Sequence, residues 1–411
     1  MAMERLNNRP RKRLGCQTPS QILQVRRCAS YLNPGDKLRI VHVTGYFSET
    51  MEYQENLLPV GQKELGHTVF VITGRKEASF DFNKNNRDKG IAEFDYKGVK
   101  IYRLDDYYEF INKGPILKGL INKIWTLRPD TLFIHGIGSA LVVGLIYKLF
   151  NNNIRLQVDI HSTEANSLNS LLGPAYHKVF KVFFKIFKGK FDKFFAVAPE
   201  SIIFMQKYYG LKEHEITLLP LPGDNSLMKN ADFIRGKIRD KLKIQEDEFV
   251  ILHAGKLSKD KKTEQLLYSF KRIKNNKIRL ILVGSADHCL ITKIEKFTSN
   301  DHRINYHGWL HSSELRELFF GCDLLVQPGS LSNIFISAIC CGLPILVAES
   351  PQGRAITLHG NGGIIPKERI NQLDEVIIEF LEVLKQREMK ESAISMAEYY
   401  GYRNIATLSL Q

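Results

Sequence analysis

Phe249-Val250-Ile251-Leu252-His253-Ala254 runs directly into Gly255-Lys256-Leu257-Ser258-Lys259-Asp260-Lys261-Lys262, and an amphipathic stretch opens at Thr263. The aliphatic run predicts a strand buried on both faces, the glycine and lysines a loop at its carboxyl end, and the remainder a helix. The same unit recurs downstream, with strands expected near Ile278 to Val283, Ile304 to His307, Leu324 to Gln327, Ile345 to Ala348 and Gly363 to Ile365, and a helical C-terminus after Gln372. Upstream the pattern begins at Leu38: strands at Arg39 to Val43, Thr68 to Thr73, Val99 to Leu104, Asp130 to His135, Ile154 to Ile160 and Phe194 to Ala198, with helices such as Pro115 to Leu127 and Ser139 to Phe150. Such alternation predicts βαβ units, hence parallel sheets with helices on both faces. Leu219-Pro220-Leu221-Pro222-Gly223 interrupts it, so the chain reads as two doubly wound α/β domains in tandem with a boundary near 220. Ligands of such sheets sit beyond the carboxyl ends of the strands, which makes a cleft between two facing sheets the expected site.

A chain of 411 residues suits two domains, and 44% hydrophobic with 25% charged residues is the balance of a globular protein. No run of eighteen apolar residues is present, and the N-terminal arginines precede no apolar stretch of signal-peptide length, so a cytoplasmic protein is expected. The six cysteines show no paired C-x-x-C spacing; Cys322, Cys340 and Cys341 fall in apolar runs and read as small buried hydrophobes. A net charge of +14 favours an anionic partner: nucleic acid, an anionic membrane surface or a phosphorylated small molecule.

Residues 1–36 are basic and lack apolar periodicity, and are expected to lie outside the fold. The string from Leu6-Asn7-Asn8-Arg9-Pro10 to Gln17-Thr18-Pro19 resembles the C-terminal end of transposases of the insertion-sequence-30 family. A nucleic-acid-binding arm is the alternative; the stretch holds a single aromatic residue, Tyr31, and no nucleic-acid partner is expected.

Five constellations can carry chemistry. Lys256 and Lys261 sit on a strand-to-helix loop with Gly255, where fixed cations and helix N-terminal N–H groups can stabilise a leaving diphosphate; a solvated lysine turn is the plain reading. Pro328-Gly329-Ser330-Leu331-Ser332-Asn333 follows another strand, with Gly329 permitting close backbone approach and Ser332 or Asn333 able to cap the next helix; by itself a simple capped turn is the plainer reading. On the N-terminal side, Thr44-Gly45-Tyr46 with Tyr53-Gln54-Glu55 follows the first strand, and Asp159-Ile160-His161 ends another; a lone histidine is often structural, but a strand's carboxyl end favours function. Last, Pro174 to Phe195 is a basic, aromatic helix: Lys178, Lys181, Lys185 and Lys188 form one stripe, Phe180, Phe183, Phe184, Phe187 and Phe191 another. Either the lysines meet an anionic membrane, or the phenylalanines pack on the sheet and the lysines face water. Paired C-x-x-C spacing and a D-x-D run are missing, as are the G-x-S-x-G, P-loop and G-x-G-x-x-G motifs of hydrolases, nucleotide triphosphatases and dehydrogenases; metal-free chemistry without a cofactor is expected.

In order, these pieces resemble family 4 of the retaining glycosyltransferases from about residue 38 onward. The resemblance rests on Ile40-Val41-His42-Val43-Thr44-Gly45-Tyr46-Phe47 and Leu65-Gly66-His67-Thr68-Val69 in the first half. In the second half it rests on Ala254-Gly255-Lys256-Leu257 with Lys261, Tyr306-His307-Gly308-Trp309, Cys322 to Pro328, and Ala338 to Pro344. It implies the GT-B fold, two Rossmann-like domains facing across a cleft: 37–219 on the acceptor side, 220–385 binding the nucleotide-sugar, and helices of 386–411 packing back toward the N-terminal domain.

By resemblance, Lys256 stands where the family has a phosphate-binding arginine, Lys261 at its phosphate-binding lysine, and His161 at the histidine that contacts the transferred sugar. Trp309 and Leu310 follow the glycine whose loop holds the base, while Gly45, Gly255, Gly329, Ser330, Ser332 and Asn333 fall to the donor and Tyr46, Tyr53 and Glu55 to the acceptor side. Two departures stand out: the family's paired glutamates fall at Gly329 and Ser337, and Met51-Glu52 stand near where its first loop has paired glycines. The implied activity is metal-independent, retaining hexosyl transfer from a nucleotide-diphosphate sugar to a glycan or lipid-linked acceptor of bacterial surface polysaccharide, peripheral on the inner membrane face. The rival is a catalytically inactive GT-B-like partner or binding subunit.

Overall fold

The computed structural model describes residues 37–77, 87–109, 114–168, 172–330, 332–384 and 387–411; the basic tail and Leu331 lie outside them. The N-terminal domain is built on strands β1 (Arg39–Val43), β2 (Thr68–Gly74), β3 (Ala92–Tyr96), β4 (Val99–Leu104), β5 (Thr131–His135), β6 (Arg155–Ile160), β7 (Lys193–Ala196) and β8 (Ile216–Leu218). They form one sheet in the order β8-β7-β6-β5-β1-β2-β4-β3, parallel except for β3, which pairs antiparallel with β4 at the edge. The second domain has a parallel sheet of β9 (Phe249–Ala254), β10 (Ile278–Val283), β11 (Ile304–Tyr306), β12 (Leu324–Gln327), β13 (Ile345–Ala348) and β14 (Gly362–Ile365), ordered β11-β10-β9-β12-β13-β14. Two doubly wound sheets meeting at a cleft are the GT-B architecture.

Both sheets are buried on two faces, which is why their strands read as apolar runs. Along β1, Val41 and Val43 join one core, shared with Leu132 of β5, while Ile40 joins the core on the opposite face. His253 interrupts β9 as a satisfied core residue, its ring nitrogens meeting the Val326 carbonyl at 2.9 Å and the Thr263 hydroxyl at 3.0 Å.

Helix α1 (Gln54–Glu64) follows β1; α2 (Leu120–Leu127), α3 (Ser139–Phe150) and α4 (Gly173–Phe187) belong to the connections leading to β5, β6 and β7. Two helix expectations are corrected. Pro115 to Leu117 is a short strand, and the helix starts only at Leu120, because Gly119 takes a left-handed φ of 68° that no helix accommodates. The long basic helix stops at Phe187, gives way to a 3-10 turn at Lys188–Lys190, and leads into β7.

In the second domain, α5 (Thr263–Arg272), α6 (Ser312–Gly321) and α7 (Ile334–Cys340) each follow a loop beyond the sheet. Then α8 (Arg387–Tyr400) packs on α7, and α9 (Tyr402–Leu410) packs on α1 of the first domain. The two crossings between domains are hydrogen-bonded together: Gly223 donates to the Tyr400 carbonyl at 3.0 Å, and Tyr402 donates to that of Gly223 at 2.9 Å.

Candidate active site in the interdomain cleft

A cleft of about 490 Å³ opens between the domains. From the first domain, Met51 to Glu55 and His161 line it; from the second, Gly255, Lys256, Gly284, Ser285, Trp309 and Leu310. Ser332, Asn333 and Ser337 form the rest of the wall near α7. Gly255, Lys256, Gly284, Ser285, Trp309 and Ser332 follow the rule that loops at the carboxyl ends of parallel strands carry the site.

Those loops pack by glycine. Gly255 has φ 111° and Gly284 φ 139°, and a Cβ on Gly284 would lie 1.6 Å from the Gly255 carbonyl oxygen. Gly284 and Ser285 were not among the residues singled out in the sequence, although Val283-Gly284-Ser285 closes a strand as Ala254-Gly255-Lys256 does. Lys256 reaches the cleft; Lys261 does not line it. Instead the Lys261 ammonium donates to the Ser330 carbonyl, bracing one loop against the other, and burial pushes its pKa down to about 8. Gly329 is likewise internal: its Cβ position lies 2.1 Å from the Asp260 carbonyl oxygen. A side chain at this position would clash with the Asp260–Lys261 backbone as the two loops now pack. Ser330 is not part of the lining, whereas the Ser332 hydroxyl is buried without a hydrogen-bond partner, 3.6 Å from where a Cβ of Gly255 would stand.

On the other wall, Tyr53 and Glu55 line the cleft, and burial pushes the Tyr53 phenol up to about 12. Gly45 and Tyr46 stand apart from it, with Gly45 packed under Gly114 and Pro115. Glu52, unremarked in the sequence as a site residue, meets Arg316 of α6 at 3.2 Å, and the same guanidinium pairs with Asp224. Burial pushes the Glu52 carboxyl above its usual range.

His161 presents its ring to the cleft, with Nε2 3.3 Å from Asp159 Oδ1. Asp159 is fully buried and its second oxygen accepts from His135 Nδ1 at 2.6 Å. Among the described residues, His135, Asp159 and His161 are also the one histidine and carboxylate group compact enough to share a cation, their atoms lying within 4.8 Å. Here the closest pair is joined by a hydrogen bond. Burial opposes the charge of the Asp159 carboxyl, but the flanking histidines hold its pKa well below the usual range.

Helix α4 turns Phe180 and Phe184 into the core, with Phe183 and Phe187 packed against it, so the aromatic stripe is structural. Lys178, Lys181 and Lys185 are exposed, whereas Lys188 pairs with Glu215 at 2.6 Å.

With this geometry in view, the comparisons are consistent. Residues 60–225 match the family model described as Glycosyltransferase Family 4, and residues 234–396 the one described as Glycosyl transferases group 1. The fold is GT-B, and each half of the chain matches a glycosyltransferase family model. Over 218 residues, 50% of this chain and 56% of the relative, it is 26% identical to a capsular polysaccharide biosynthesis glycosyltransferase, CapM, of Staphylococcus aureus. Over 140 residues, 33% of this chain and 37% of the relative, it is 26% identical to an uncharacterized 41.2 kDa protein in the cps region of Klebsiella pneumoniae. The chain thus matches only about a third to a half of the length of these curated relatives. Among solved structures, Anabaena Alr3699/HepE in complex with UDP superposes with a TM-score of 0.66 at 15% identity, covering 91% of this chain and 98% of that one. A glycosyltransferase from Rickettsia africae does so with a TM-score of 0.67 at 14% identity, covering 92% and 97%. No helix among the described residues is long and apolar enough to cross a membrane.

Proposed function

We propose that the protein transfers a sugar, with retention of configuration, from a nucleoside-diphosphate sugar to a growing surface glycan. The observation that carries this is the meeting, on one wall, of Lys256 with the unpartnered Ser332 hydroxyl beside Gly255, opposite His161. A departing diphosphate gathers negative charge, and a fixed cation with preoriented donors stabilises that charge without reorganisation. Retention asks the acceptor to attack from the face the diphosphate leaves, so both must share this cleft. The Lys256 charge supports catalysis without a divalent ion. That HepE was solved with UDP, and with UDP-glucose, makes a uridine nucleotide the first donor to try. The likeness to CapM supports a capsule-type acceptor.

Thermal shift with UDP-, GDP- and ADP-sugars tests the reading, with one donor expected to raise the melting temperature. Lys256→Ala is then expected to lower turnover about a hundredfold. Silence toward all of them in both binding and hydrolysis favours the rival, an inactive GT-B-like subunit, for which the missing glutamates at Gly329 and Ser337 speak.

A lipid-linked acceptor calls for a membrane-facing surface, and α4 offers one. Val179, Val182 and Ile186 are 67%, 58% and 65% exposed in one ridge, alongside Lys178, Lys181 and Lys185. Neither α2, α3 nor α4 contains an acidic residue, and α3 adds the exposed Ile146 and Phe150. Cations beside inserted apolar side chains suit an anionic bilayer, each near-surface lysine contributing about 1 kcal/mol. Changing Lys178, Lys181 and Lys185 to Gln is expected to release the protein from phosphatidylglycerol vesicles; equal binding of variant and wild type rejects this part.

A further inference from the structure

The sheet of the first domain carries a line of polar residues through its apolar interior. Asp159 on β6 stands opposite His135 on β5 in the strand register, and His42 on β1 stands opposite Phe133, one step along the same face. Side chains two apart on a strand share a face, so His135 and His42 are diagonal neighbours there. They touch: His42 Nδ1 lies 2.9 Å from His135 Nε2. Beyond them, His42 Nε2 is 2.7 Å from Gln62 Oε1 on α1, and Gln62 Nε2 is 2.9 Å from Ser409 Oγ on α9.

The hydrogens of this chain have one consistent assignment. Ser409 spends its single hydroxyl proton on the Ala406 carbonyl at 2.7 Å, so toward Gln62 it accepts, and the amide NH₂ must face it. Gln62 Oε1 therefore accepts from His42 Nε2. His42 is buried and its pKa is lowered to about 3, so it carries one proton and offers Nδ1 as an acceptor to His135 Nε2–H. The Asp159 carboxylate accepts from His135 Nδ1–H. His135 thus bridges His42 and Asp159 through its two ring nitrogens.

We infer that Asp159, anchored by this chain, is a positioning residue that fixes the His161 ring at the wall of the cleft and keeps it a proton donor toward the transferred sugar. The inference rests on the reading of the cleft as a donor-sugar site. The Asp159 Oδ2 atom is committed to His135, while Oδ1 accepts from the Gly136 N–H at 3.1 Å and faces His161 Nε2 at 3.3 Å. That nitrogen is buried, without a well-angled hydrogen bond, although the His161 side chain is 38% exposed to the cleft. The charged groups acting on His161 are Asp159 from the sheet and Glu55 from α1; the His135 ring stands beside Asp159, and Lys256 lines the same cleft. Burial alone would drive the His161 pKa down, yet Asp159, with a smaller contribution from Glu55, raises it.

The test follows the ring of His161 by NMR over a pH series, its signals identified by their loss in His161→Gln. Asp159→Asn is expected to lower the titration midpoint by about one pH unit or more. His135→Gln, which removes the imidazole hydrogen-bonded to Asp159 and leaves the carboxylate to His161, is expected to raise it. In turnover, Asp159→Asn is expected to lower kcat on the order of a hundredfold, and to cost no more than about twofold in the His161→Gln background, because the same role is then already lost. An unmoved midpoint in both variants, or equal losses in both backgrounds, overturns the inference. Should Asp159→Asn fail to fold, the His135→Gln midpoint decides alone. The ring titration needs no donor, so a protein that turns over no nucleotide-sugar defeats the reading of the cleft without touching this result.

Discussion

Gly284 and Gly255 are in such close contact that the first domain-facing loops of the second sheet exist only as a pair: a methyl group on Gly284 would sit 1.6 Å from the Gly255 oxygen. At φ 139°, Gly284 also occupies backbone space that L-residues avoid. Gly284→Ala is therefore expected to cost about 3 kcal/mol and to separate Gly255 from Ser285. Chemical denaturation measures the first effect, and loss of donor-induced thermal stabilisation the second; an alanine variant with unchanged midpoint and donor response contradicts it.

Arg316 links the domains by reaching both Glu52 and Asp224, with side-chain exposures of 13%, 12% and 7% for the three. Removing it leaves two carboxylates buried without their cation, and a loss of about 3–5 kcal/mol is expected for Arg316→Met at pH 7. The sign with pH follows from Glu52, whose pKa is raised in the folded protein. Without Arg316, both carboxylates are costly when ionised, so the deficit is expected to shrink as pH falls through the carboxylate range. Urea midpoints of both proteins across that range check it.

Lys261 makes the opposite kind of prediction. Its folded pKa of about 8 lies below the ordinary value of 10.5, so the folded state binds fewer protons between these limits. The cost of burying its charge is complete below pH 8 and disappears as pH rises toward 10.5. Lys261→Met is expected to melt higher than wild type at pH 7, with the gain fading above pH 8 in calorimetry. A constant difference across the series excludes the burial account.

Much of the fold was legible because strands buried on both faces are largely apolar: β9, β10, β12 and β13 fall where their aliphatic runs place them. Pro115 to Leu127 misled, since its apolar spacing suits a helix and only the left-handed Gly119 divides strand from helix. The cleft was legible at Lys256, His161 and Trp309, each just past a strand end. Lys261 and Gly329 carry the loop signature too, but adjacency in sequence does not reveal that they face each other's backbone. His135 and His42 were the least visible: each is a polar residue in a largely apolar strand, and only the lateral order of β6, β5 and β1 brings them beside Asp159.

The seam at Gly223 and Gly401 has a mechanical meaning. Both peptide crossings between the lobes run side by side there, tied by the Gly223 hydrogen bonds to Tyr400 and Tyr402. Two struts fastened at one point behave as a single axle, so the mouth of the crevice can widen or narrow chiefly by rotation about that seam, and a crosslink across it should freeze the aperture at whatever width it had when the link was made.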